Sequence, residues 1–354
     1  SPLLASPSPS TALGDRRVGL PTPVLSEPEE SATALRSTEV PASSPVDSSA
    51  SGLAEAYDRA TTVSGTSARG STHVLILFSG PKARPDGLAA FLSRMGFEST
   101  LVDNDPEHGG GSDDDLLSQT VFDALLARVQ AGEFLCIIAA PPCSTFSIAR
   151  FFTPKDGKPG APILRTRLEI AGCHDLNPRR RAETERANLL VRRTCALIAA
   201  GHSVGTQHII ENPADRGSRG QSDLFLDERH GPVWLFPEVI ALRRATDAGM
   251  ATFPMCAFSS PWQKFTTLQY SAGLTPWLER LSRLRCHHSR HSSMAGGEAN
   301  DEGVWVSRDA AAYPADFNLY LARAVASLHS GVSAPPVVIS PDGRGATLDP
   351  IEPD

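Results

Sequence analysis

The chain has no CxxC pair, no long apolar run and no excess of positive charge. Its six cysteines lie scattered at 136, 143, 173, 195, 256 and 286 of 354 residues, which argues against a disulfide scaffold and for reduced, intracellular thiols. No segment approaches the ~18 consecutive apolar residues that a membrane span needs, so no membrane partner is expected. The N-terminus lacks the basic-then-apolar order of a signal peptide, and its first residue is Ser, which reads as a fragment or a processed piece. A net charge of −7 excludes a chain-wide polyanion binder; any nucleic-acid contact has to be a local basic patch. No internal repeat is visible.

Apolar residues make up 40% of the chain, enough for a real core, while its 29 prolines and 28 glycines are spread unevenly. Residues 1–70 are rich in Ser, Pro, Ala and Thr without an apolar period, and read as a disordered arm. Residues 331–354, with Pro335, Pro336, Pro341 and Pro350, read as a disordered tail. Between them, 71–330 should form one globular domain. His73 to Phe78 reads as an apolar strand, Gly87 to Met95 as a helix, and Ser99 to Val102 as a second strand. Leu116 to Val129 reads as a helix opened by Asp113, Asp114 and Asp115. Phe134 to Ala139 is a strand, Glu183 to Ala200 a helix, Gln207 to Ile210 a strand, and Phe317 to Leu328 a closing helix. Such alternation predicts a Rossmann-like, doubly wound, mainly parallel α/β sheet.

In such sheets ligands bind at the carboxyl ends of strands, where Ser79, Asp103, Cys143 and Glu211 all fall. Within Ala140 to Ser147 (APPCSTFS), two prolines stiffen the exit from a buried strand and set Cys143 on a turn. A free cysteine is ordinarily a small buried hydrophobe. One held behind Pro-Pro at a strand end is a candidate nucleophile.

A strand ending in FSG, a strand ending in an acid, PPCxxFS after an apolar strand and ENP after another occur in that order. This resembles the S-adenosylmethionine-dependent cytosine-C5 DNA methyltransferases in a short, divergent form. Downstream, SPWQKFTTL, RCHHSRH and AAAYPADFNLYLA resemble methyltransferase-like domains of algal and protist genomes, often near retroelements. The resemblance covers residues 73 to 328. It implies a class I methyltransferase type of fold, S-adenosylmethionine as cofactor, and nucleic acid as partner, DNA favoured over RNA, with a nuclear site of action if DNA is the substrate.

Residue by residue, it implies Cys143 as the thiolate adding to C6 of the pyrimidine and Glu211 as the acid near N3, with Asn212 holding that loop. Ser147 and Arg150 would lie on the loop that closes over a flipped-out base. Phe78, Ser79, Gly80 and Pro141 would border the cofactor. Asp103, or its competitor Asp105, would take the ribose hydroxyls, and one of the three aspartates ending at Asp115 the adenine amino group. Lys264 stands for one arginine of the family's pair, and Thr266 replaces the other. The closing helix would complete the cofactor pocket.

The chain departs from the pattern where the first loop reads FSGPKARPDG, with Pro81 and Lys82 after Gly80 and the next glycine only at Gly87. That departure supports an alternative: a retroelement-borne relic that keeps the fold, binds nucleic acid or protein, and has lost the cofactor. A Pro/Gly/Arg-rich insert runs from Thr153 to Arg181. A short insert over 256–309 stands in place of a target-recognition region. It contains Cys286, His288 and His291, which with Cys256 could hold structural zinc; the competing reading is a solvated basic loop. Arg179, Arg180, Arg181, Arg192, Arg193, Arg280, Arg283, Arg285 and Arg290 are candidates for phosphate contacts. Trp262, Trp277 and Trp305 read as core.

Overall fold

A computed structural model describes residues 70–152, 160–221, 223–262, 264–286, 288, 291, 311–330, 338–339 and 346–347. The expected disordered arm, the start of the Thr153 insert, Arg290, Trp305 and most of the tail lie outside these residues.

Six strands form one sheet. They are β1 (His73–Leu77), β2 (Glu98–Val102), β3 (Cys136–Ala139), β4 (Gln207–Pro213), β5 (Gly249–Pro254) and β6 (Phe265–Tyr270), in the order β2-β1-β3-β4-β6-β5. The first four are mutually parallel, whereas β6 runs antiparallel between β4 and β5. The helices are α1 (Leu88–Arg94), α2 (Gln119–Gln130), α3 (Pro178–Ser203), α4 (Pro237–Ala245), the one-turn α5 (Thr275–Leu278) and α6 (Ala315–Ser330). The fold is doubly wound α/β, as the alternation predicts.

Both faces of the sheet are covered, which is why its strands read as unbroken apolar runs. Successive strand residues point to opposite sides. Val74, Ile76, Ile138 and Ile209 pack with α1, α5 and α6, burying Leu92, Trp277, Phe317 and Tyr320. Leu75, Leu77, Ile137 and Ile210 face the other way, onto Leu125 and Val129 of α2, Val191 and Ile198 of α3, and Val239 and Leu242 of α4.

Local chemistry corrects several boundaries. The aspartate run does not open α2: Ser112–Asp114 form a separate 3-10 turn, and the Ser118 hydroxyl caps the helix by accepting from the Val121 N–H. α3 begins five residues before the predicted Glu183, with Asn177 capping the Arg180 N–H and Pro178 in the first turn, where its missing N–H leaves nothing unpaired. β4 runs on through Glu211, Asn212 and Pro213 because β6 pairs with that stretch. α4, β5 and β6 carry no prior expectation. Trp277 is buried, while Trp262 is only half-buried. In the tail, β7 (Val338–Ile339) pairs antiparallel with β8 (Ala346–Thr347). Among the described residues, no helix is long and apolar enough to cross a membrane.

Candidate active site

The sheet order reverses between β1 and β3, since the chain leaves β1 toward β2 on one side and returns to β3 on the other. The crevice outside such a switch point is where doubly wound sheets take ligands. A cleft of about 650 Å³ opens there. It is lined by Phe78, Ser79 and Gly80 from the end of β1, Ala140 beyond β3, Asp105 and His108 beyond β2, Tyr313 just before α6 and Asn318 in the first turn of α6.

The first loop is tightly built. Phe78 adopts left-handed backbone at φ 60°, a conformation costing a non-glycine residue of order 1 kcal/mol or more, and such strain concentrates at functional sites. Gly80, at φ 66°, has open space where a Cβ would stand, so the cleft approaches bare backbone there. Asp103 Oδ2 accepts from the Gly80 N–H at 2.8 Å and Oδ1 from the Asp105 N–H at 3.0 Å, so this carboxylate braces the two loops against each other. Asp105, its competitor in the sequence, lines the cleft. Asp115 accepts from the Leu117 N–H and from Asn104, and is not among the residues lining the cleft.

Beside the cleft the structure gathers four reactive groups. Glu211 is 6% exposed, and both carboxylate oxygens have partners. Oε2 accepts from the Tyr313 hydroxyl at 2.7 Å, while Oε1 accepts from the Thr266 hydroxyl and lies 3.6 Å from Lys264 Nζ. The antiparallel run of β6 makes this possible: its first residues pair with the last of β4, bringing Thr266 and Lys264 to the carboxyl edge.

Cys143 is half-buried on the turn after β3 and feels this cluster. Burial pushes its thiol above the usual range, the Lys264 ammonium pulls it back, and the Glu211 carboxylate pushes it up again. Burial, with Glu211 beside it, also raises the Tyr313 phenol well above its ordinary range. Asn212, 1% exposed, donates from Nδ2 to the Pro141 carbonyl at 2.8 Å and so ties β4 to the Pro-Pro exit from β3.

The turn itself is clamped from behind. Arg165 is 1% exposed, donates from Nε to Thr145 Oγ1 at 3.1 Å, and stacks over the Phe146 ring with 3.9 Å to the centroid. His230, wholly buried, accepts from the Arg216 N–H through Nδ1, which leaves Nε2 to donate to the Phe146 carbonyl at 2.9 Å. Ser147 caps the 3-10 turn Ile148–Phe151. Arg150 reaches the Ser144 and Pro162 carbonyls and pairs with Glu183 at 3.0 Å, so its guanidinium braces the loop.

Of the arginines considered for phosphate, Arg192 pairs with Glu238, and Arg193 bonds the Leu116 carbonyl and Gln119. Arg180 pairs with Glu183, and Arg181 caps the carbonyls of His174 and Leu176. Arg179 and Arg283 are exposed.

Sequence reading missed Tyr313, Arg165 and His230. Tyr313 stands in the AAAYPADFNLYLA stretch but 102 positions from its carboxylate, and nothing local links the two. Arg165 lies in text that reads as a surface insert, and a fully buried arginine is rare.

Fold and site define a doubly wound α/β protein with a ligand cleft at its switch point and a cysteine, a carboxylate, an ammonium and a phenol beside it. No family model matches the chain, and no curated protein does. Among solved structures, the chain is similar to a triple-substituted variant of Spodoptera frugiperda DNMT2, at 12% identity and a TM-score of 0.29, over 66% of this chain. It spans 56% of the length of that structure. The fold class rests on the strand order and on the two layers of helices.

Proposed function

We propose that the protein transfers a methyl group from S-adenosylmethionine to C5 of cytosine in nucleic acid, most naturally DNA, with Cys143 as nucleophile and Glu211 as acid. The observation that carries this reading is geometric: Glu211, bonded to the cleft-lining Tyr313 at 2.7 Å and 3.6 Å from Lys264 Nζ, stands at the same strand-end edge as the turn bearing Cys143.

The residues around the cleft suit the cofactor. Its volume lies within the range for sites of that size. Ile76, Leu101 and Ile138 offer apolar walls and Asp105 a carboxylate for a ribose diol, while the cleft-lining Arg84 is already paired with Asp86 at 2.6 Å. When bound, S-adenosylmethionine supplies an electrophilic methyl group on a sulfonium.

The chain's own residues prepare the acceptor. Cytosine reaches them only out of its stack. The Cys143 thiolate forms the S–C6 bond, and the ring π electrons shift toward C5 and N3. Glu211, taking up a proton from solvent, passes it to N3, so C5 becomes the nucleophilic position. Lys264 favours the thiolate that starts this sequence. After methylation, loss of the C5 proton to solvent and breakage of the S–C6 bond return the thiolate, and N3 hands its proton back to Glu211.

Cys143→Ala should abolish transfer, and a 5-fluorocytosine duplex should trap the wild type covalently, since fluorine at C5 blocks the last step. Full activity in the alanine variant would remove this mechanism.

One observation favours the second reading, a relic without cofactor. From Phe78 to Lys82 the first loop offers no free backbone donor: Phe78 and Ser79 donate to the Val102 carbonyl, Gly80 to Asp103 and Lys82 to the His108 carbonyl, and Pro81 has no N–H. Calorimetry with S-adenosylmethionine separates the two, because the relic gives no heat even at millimolar ligand.

A further inference from the structure

The turn after β5 and the chain beyond β6 together contribute a cluster that the proposed chemistry leaves unused. Cys256 Sγ, Cys286 Sγ and one ring nitrogen each of His288 and His291 all lie within 4.8 Å of one another. Cys286 Sγ is 3.2 Å from His291 Nε2 and 3.9 Å from His288 Nδ1, and the two imidazole centroids are 4.9 Å apart. Tetrahedral zinc, with bonds near 2.3 Å to sulfur and 2.0 Å to nitrogen, sets ligand atoms about 3.3–3.8 Å apart. A contraction of about 1.5 Å at most brings all four donors onto one centre.

The donor types argue the same way. Two thiols and two imidazoles form a soft and borderline set that selects zinc over magnesium or calcium. Both cysteines are free, so no disulfide accounts for their approach. Four protein ligands leave no open position, the mark of a structural rather than a hydrolytic site.

Position gives the cluster a purpose. Cys256 sits in the 3-10 turn Met255–Phe258 that ends β5. Its neighbour Met255 donates its N–H to the Lys264 carbonyl at 2.8 Å, and Pro254 pairs with Phe265. That hairpin presents Lys264 and Thr266 to Glu211. On the other side of the same turn, Phe258 stacks on Phe317, which in turn meets the Tyr313 ring. Cys286 follows the buried Leu284, thirty positions further along the chain.

We propose that Cys256, Cys286, His288 and His291 bind one zinc ion in a closed structural site that fixes the hairpin carrying Lys264 and Thr266. The inference rests on ligand geometry alone and stands whether or not methyl transfer does.

Elemental analysis of the purified full chain should give one zinc per molecule, falling to background in Cys286→Ser and unchanged in Cys173→Ser. Cobalt exchanged into the wild type should show the absorption bands of tetrahedral thiolate coordination. Should Cys286→Ser fail to fold, chelation of the wild type decides: alkylation of Cys256 should rise at least tenfold and return to its starting rate when zinc is restored. Substoichiometric metal with no cobalt spectrum, equal zinc in Cys286→Ser, or a mass two hydrogens light from a Cys256–Cys286 disulfide would each overturn the site.

Discussion

Replacing Arg165 by Met tests whether the clamp behind Cys143 is what holds the nucleophile's turn. Arg165 makes four hydrogen bonds, to Thr145 Oγ1, Asn188 Oδ1 and the carbonyls of Ile170 and Thr184, yet faces no carboxylate directly. Burial, with Arg150 nearby, pulls its pKa from 12.5 to about 9, so the guanidinium stays charged at neutral pH. That fall corresponds to about 5 kcal/mol of opposition to the charge. Methionine removes this opposition. It also strips donors from four buried acceptors, at about 2–3 kcal/mol each, or about 10 kcal/mol together. Stacking on Phe146 adds about 1–2 kcal/mol. Acceptor loss wins. With relaxation and water entry, the expected net destabilisation is about 3–5 kcal/mol, the range found when one partner of a buried charged network is removed. Urea unfolding measures it. Alkylation of Cys143, followed by peptide mass, reads the turn itself and should accelerate in Arg165→Met under native conditions. Arg165→Lys should fall between, because one ammonium offers three donors and no planar stack. A variant within 1 kcal/mol of wild type that alkylates at the wild-type rate would refute the clamp.

Two further predictions concern titration. Because burial raises the Cys143 thiol, its alkylation rate should still climb above pH 9, the ordinary thiol value; Lys264→Met should move the rise to higher pH and Glu211→Gln to lower, and a plateau below pH 9 in the wild type would contradict both. His208, 1% exposed and bonded to Ser271 at 2.8 Å, is held by burial at about 3 instead of 6.5. The unfolded chain then binds the extra proton between those values, so stability is full above pH 6.5 and drains by about 5 kcal/mol toward pH 3. Urea midpoints across that window should show the loss, and His208→Asn should flatten it.

The sequence exposed what depends on short-range pattern. Apolar runs placed β1, β3 and the core of β4, and Pro-Pro marked the turn bearing Cys143. Boundaries set by single caps were harder to see. Asn177-Pro178 is a helix start in plain view, but it lies inside Pro/Gly/Arg-rich text that reads as an insert. The three aspartates carry a helix-opening composition, yet Ser118 outcompetes them; Asp114 instead pairs with Lys82 at 2.6 Å. Thr266 was visible only as a replacement in a motif, and its hydroxyl lands on Glu211 because β6 reverses direction. Nothing local encodes that reversal, nor Tyr313's reach to Glu211. Such pairings arise from sheet order, which no window of sequence contains.

The far wall of the cleft comes from the chain around Tyr313 and Asn318, and Asn318 donates to the Asp86 carbonyl across 232 positions. A ribosome delivers β1, the strained turn at Phe78 and the thiol of Cys143 long before it delivers that wall. While synthesis proceeds, the nascent chain carries the nucleophile without an enclosed cleft beside it. Any ligand of the finished cleft can therefore assist only the closing of α6 onto α1, and stabilises the completed protein rather than the growing one.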